Sequence, residues 1–67
     1  MERGTIKSYD HSNGRGMISH AESPDVVFSS SNIIGRDQVY LKPGDQVWFE
    51  IENINDHHTA INVRRCL

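Results

Sequence analysis

The sequence predicts an all-β protein of one domain, residues 1–67, in which five short antiparallel strands close into a barrel. Three observations predict it. β-prone segments of period two are punctuated by turn residues, most clearly over residues 46–52. There Val47, Phe49 and Ile51 fall on one side and Gln46, Trp48, Glu50 and Glu52 on the other. No apolar stripe of helical period runs along any part of the chain. Finally, 67 residues cannot fill two sheets, and a single open sheet would leave unpaired edges that closure removes.

The elements follow in order. Residues 4–10 form the first strand, and His11-Ser12-Asn13-Gly14 reads as a hairpin turn on the strength of Asn-Gly. Residues 16–20 form the second strand, ended by Glu22-Ser23-Pro24. In the third, residues 25–29, Val26 and Phe28 share one face, and Val27 and Ser29 the other. An irregular stretch over residues 30–41 leads to a turn at Pro43-Gly44-Asp45. Residues 46–52 are the fourth strand, 53–58 a polar turn, and 59–65 the fifth strand, with Ile61 and Val63 alternating against Ala60, Asn62 and Arg64. The expected core is Ile6, Tyr9, Ile18, Val26, Phe28, Ile33, Leu41, Val47, Phe49, Ile51, Ile61 and Val63.

Composition narrows the function. No run approaches the ~20 apolar residues of a membrane-spanning helix. One Cys excludes an internal disulfide scaffold. A free thiol persists best under reducing conditions, and no basic-then-apolar leader opens the chain, so a cytoplasmic location is expected. Cys66 itself reads as an ordinary thiol on a mobile terminus. A chain of ~60 residues buries only about 60% of its unfolded surface, so a deep substrate cleft is not expected. Seven Lys and Arg against nine Asp and Glu do not advertise a nucleic-acid binder, but a local patch is sufficient for one.

The segments resemble, in order and without a gap, the motifs of the cold-shock domain family. Gly4-Thr5-Ile6-Lys7-Ser8-Tyr9-Asp10 stands where the family has G-x-V-K-W-F-N, and Asn13-Gly14-Arg15-Gly16-Met17-Ile18 where it has K-G-F-G-F-I. The segment from Asp25 to Ile33 corresponds to D-V-F-V-H-F-S-A-I, while Leu41, Gly44, Val47, Phe49, Glu50 and Ile51 meet L-x-x-G-x-x-V-x-F-E-I. Ala60-Ile61-Asn62-Val63 corresponds to A-x-N-V. The resemblance implies a Greek-key barrel of the oligonucleotide-binding fold and, as partner, single-stranded RNA or DNA.

The match divides by side. Core and turn positions are kept, whereas positions the family uses to stack bases are replaced. The exposed Trp is Ser8, the two Phe of the first motif are Arg15 and Met17, and Val27, Ser29 and Ser30 replace the Phe, His and Phe of the second. A loop aromatic is Gln38, and Lys7 is the residue carried over directly. Stacking is worth ~1–3 kcal/mol per base, so three lost platforms weaken binding by orders of magnitude. What remains can still make contacts. Arg15 can stack on a base and reach a phosphate. Lys7 brings charge, Met17 and Val27 apolar surface, Ser29 and Ser30 hydrogen bonds, and His20, at the end of the second strand, a weak stacking ring.

Other constellations carry less. Asp56-His57-His58 with His11 lacks structural-zinc spacing, and adjacent His side chains diverge in extended backbone. Gly14-Arg15-Gly16 is too short for a phosphate loop, so a non-catalytic protein without a cofactor is expected. Trp48 alternates outward and is either an interface anchor, with a homodimer as one outcome, or packs on a neighbour of its own chain. Two functions follow. One is weak, salt-dependent binding of single strands through a remodelled strand face. The alternative is a barrel that has lost that binding and serves protein interaction or self-association.

Overall fold

The computed structural model describes residues 1–21, 23–35 and 41–66; Gln38 and Glu22 lie outside them. Five strands, β1 (Glu2–Asp10), β2 (Arg15–His20), β3 (Ser23–Ser29), β4 (Gln46–Ile54) and β5 (His57–Arg65), close into a barrel in the order β1-β2-β3-β5-β4. A 3-10 turn, Ser30–Asn32, follows β3. Among the described residues no helix is long and apolar enough to cross a membrane. Four of the five seams are antiparallel. The one between β3 and β5 is parallel, at Val27 and Thr59, and corrects the all-antiparallel expectation. Closing a barrel after an odd number of strands forces one such pairing when every other neighbour runs antiparallel.

The first turn is built by Asp10. Its carboxylate accepts the Ser12 hydroxyl at 2.6 Å, the Ser12 and Asn13 N–H groups at 3.0 and 3.3 Å, and Asn13 Nδ2 at 2.9 Å. The Ser12 hydroxyl above all, then the two N–H groups, hold this carboxyl below its usual range. At the second turn Gly44 takes φ +96° and donates its N–H to the Ile6 carbonyl at 2.9 Å, while Ile6 donates to Asp45 at 2.8 Å. The third turn is tighter than residues 53–58. Only Asn55 and Asp56 are outside the strands, at φ +51° and +65°. Two positive φ values are what a two-residue hairpin turn matching the strand twist requires, and Asn and Asp tolerate them.

Among the described residues ten buried apolar side chains form the core: Ile6, Ile18, Val26, Phe28, Ile33, Leu41, Val47, Phe49, Ala60 and Val63, with Tyr9 packed against them. Period two alone does not produce this set. Ile6 and Tyr9 both face inward although three residues apart, because Lys7 is an extra residue in β1. Ile6 pairs with Ile18 and Ser8 with Met17.

Two expectations fail. Ile61 is only half-buried and Ala60 takes its place. The cause is an extra residue in β5: Trp48 pairs with Arg64 but Glu50 with Ile61, and Asn62 sits at φ +53° with its Nδ2 donating to Glu50 Oε2 at 2.6 Å. Ile51, expected inside, is 38% exposed. It shares the inward row with Val47 and Phe49, but β1 pairs with β4 only as far as Glu2 and Phe49. Beyond that point β4 has β5 on one side, itself still paired to β3 at Thr59, and no β1 on the other to cover Ile51.

Candidate nucleic-acid interface

The outer surface of β1, β2 and β3 is set by register. Asp10, Arg15 and Ser29 lie abreast, and Ser8, Met17, Val27 and Thr59 form the next row. These rows frame a shallow open depression of about 480 Å³. Ser8, Arg15, Met17, Val27 and Ser29 line it, with Phe28 beneath and Asn32 and Thr59 at its margin. Five of the eight residues expected from the sequence therefore meet at one place. The strand pleat explains it, since each precedes or follows an inward residue by one position.

Gly16 makes the floor possible. A Cβ there would stand 2.5 Å from the Ser8 carbonyl oxygen and 2.6 Å from Phe28 Cζ, so β1 and the Phe28 ring close directly over bare backbone. Gly16→Ala is expected to destabilise the domain by ~1–3 kcal/mol, as overpacking does. A lower urea midpoint at unchanged slope would register it. Phe28 is only 2% exposed, as the alternation required, and its ring lies 5.4 Å from Tyr9. It supports the face and is not a stacking platform on it.

The other three residues lie elsewhere. Lys7, at the β1 bulge, reaches across β2 to Asp25, with Nζ 2.7 Å from Oδ2, so part of its charge is already compensated. Ser30 packs at the end of the first turn, where its N–H donates to the Gly14 carbonyl at 2.7 Å and its Oγ occupies the space a Gly14 Cβ would need. His20 corrects the sequence reading outright. It shares the inward row of β2 with Gly16 and Ile18, and its ring stands edge-on to Phe49 at 5.4 Å and 81°. Only 9% of it is exposed, so it offers no stacking surface.

Asn32 and Thr59 were not legible as site residues. Thr59 reaches the depression only through the parallel β3–β5 seam, and Asn32 through the 3-10 turn, where its Nδ2 donates to Ser29 Oγ at 3.4 Å. Ser29 Oγ also shares a hydrogen bond of 2.7 Å with Ser31 Oγ, so its hydroxyl is held in place. Arg15 is exposed and makes no ion pair among the described residues, which leaves its guanidinium available to an anion. Among those residues no group of three or more His, Cys, Asp or Glu is placed to hold a metal ion.

A closed five-stranded barrel with this face is the architecture of an oligonucleotide-binding domain. The chain matches the sequence profile of the 'Cold-shock' DNA-binding domain over residues 2–66. It belongs to that family, whose domain is a nucleic-acid-binding one. No curated protein matches the chain significantly.

Proposed function

We propose that this cold-shock domain binds single-stranded RNA or DNA weakly, without catalysis, through the face of Ser8, Arg15, Met17, Val27 and Ser29. The observation that carries the reading is the composition of the depression. Among the described residues it joins one guanidinium without an ion pair to apolar Met17 and Val27 and has no aromatic platform on its surface. Phosphate contacts then supply a larger share of the affinity than stacking does. Lys7 contributes less than Arg15, because Asp25 already holds it. The domain works in the cytoplasm in this reading, as its free thiol favours.

Arg15→Ala is expected to weaken binding to most sequences alike and to lower the salt slope by about 0.7, the single-strand value for one phosphate contact. Fluorescence anisotropy of a labelled single strand at several salt concentrations measures both. A wild type that shows no binding at low salt and high protein concentration rejects the reading. A second reading, that the barrel has exchanged strand binding for protein contact or self-association, draws on the outward position of Trp48, which is 36% exposed.

A further inference from the structure

The chain has one tryptophan, and it stands on a different wall of the barrel from the depression. β1 pairs with β2 through its second half and with β4 through its first. On the wall made by that first half, β4 and β5, the residues Arg3, Trp48 and Arg64 stand directly abreast. The Arg3 guanidinium lies over the Trp48 ring, 5.5 Å from its centroid. It is held there by Gln46, whose Oε1 accepts Arg3 Nε at 3.0 Å and also Arg3 Nη2. On the other side Arg64 is exposed, its Nη2 3.9 Å from Met1 Sδ. Two acids share this face of β4: Glu50, which accepts Asn62 Nδ2 at 2.6 Å, and Glu52, further toward the hairpin end and away from the Arg3–Trp48–Arg64 row.

We infer that this wall is a second contact surface for a single nucleic-acid strand, with Trp48 stacking on a base and Arg3 and Arg64 meeting the phosphates on either side. The chemistry is that of sequence-tolerant strand binding: an aromatic face for a base, flanked by cations. Two strand spacings, about 10 Å, separate the backbones of the flanking residues, and a base stacks on the ring when the Arg3 guanidinium, now 5.5 Å from the ring centroid, swings from it to a phosphate. Charge complementarity selects the occupant. The chain carries net −2, yet this ring is bracketed by two guanidinium groups, so an anion is attracted locally. Docking of a second copy about a two-fold axis would bring the same cations together. The inference rests on the strand-binding reading for its ligand class and differs from it in the surface used. It places an aromatic platform on β4, where the depression has none among the described residues.

Because Trp48 is the sole tryptophan, its emission reports on this wall and on no other. The experiment titrates the protein with unlabelled oligothymidylate at low salt while following tryptophan fluorescence. A parallel titration follows the anisotropy of the same oligonucleotide carrying a label. The expected result is saturable quenching of Trp48 that persists in Arg15→Ala. In the double variant Arg3→Gln, Arg64→Gln the midpoint should rise about tenfold and the salt slope fall by about 1.4, for two phosphate contacts. Circular dichroism of that variant confirms that the barrel is intact. Anisotropy that reports binding while Trp48 emission stays unchanged overturns the second surface and leaves the first standing. Absence of binding by both readouts rejects both. A Trp48-dependent dimer in sedimentation, with no quenching, assigns the wall to a second copy and overturns the inference.

Discussion

Phe49→Ala is expected to remove from a third to all of the stability of this domain. Phe49 is fully buried, packed between β1 and β2. Its Cε1 lies 3.0 Å from where a Gly4 Cβ would sit, and the His20 ring packs edge-on against it. Truncating a buried Phe costs ~3–5 kcal/mol, lost transfer energy and the residual cavity together. Stability of about 0.05–0.15 kcal/mol per residue gives a domain of this length roughly 3–10 kcal/mol in all. The remaining margin runs from nothing to about 7 kcal/mol. Urea denaturation followed by far-ultraviolet circular dichroism measures it, with the wild-type midpoint as reference. Ile51→Ala is the companion measurement. By alternation Ile51 belongs to the same inward row, so sequence alone predicts a comparable loss. At 38% exposure, beyond the last β1 pairing, it should cost under about 1 kcal/mol. Equal losses at the two positions would contradict the described end of the barrel.

The second large effect is a gain. Met17→Phe combined with Val27→Phe should raise affinity for single strands by about 30-fold or more, from ~1–3 kcal/mol per stacked base. The two residues are direct cross-strand partners and both line the depression, so the new rings would stand side by side. Val27 is 47% exposed and Met17 half-buried on the outer face, so neither substitution enters the core. The urea midpoint should therefore stay close to that of the wild type while the anisotropy midpoint falls. An intact double variant with no gain would show that bases do not reach this face.

Nucleic-acid contact of the kind proposed divides between two walls with different chemistry. The β1–β2–β3 face offers one free guanidinium over apolar side chains, and the β1–β4–β5 wall an aromatic ring between two cations. Arg15→Ala and the Arg3, Arg64 double variant separate them, because each removes cations from one wall only.

Much of this was legible in the residues. Alternation in β3 and β4 placed Val26, Phe28, Val47 and Phe49 inside, and the pleat then put Met17, Val27 and Trp48 outside, as found. The Pro43-Gly44-Asp45 turn was also local, since a glycine at φ +96° and a neighbouring carboxylate suffice to make it. What escaped depends on pairing between distant strands. Ile61 was misplaced because the extra residue at Asn62 inverts the alternation midway along β5, and only the pairing with β4 shows where it falls. Ile51 was misplaced because its exposure depends on where β1 stops. Thr59 joined the depression through one parallel pair with Val27, 32 positions earlier in the chain. His20 was on the inward row all along, yet its packing on Phe49 required β2 and β4 to be brought together by barrel closure. Sequence by itself determined the strands, the turns and most of the facing, because these follow from backbone geometry within a few residues. Tertiary structure alone decided the bulges, the ends of the barrel and which side chains share a surface, because those depend on which strands pair and in what register.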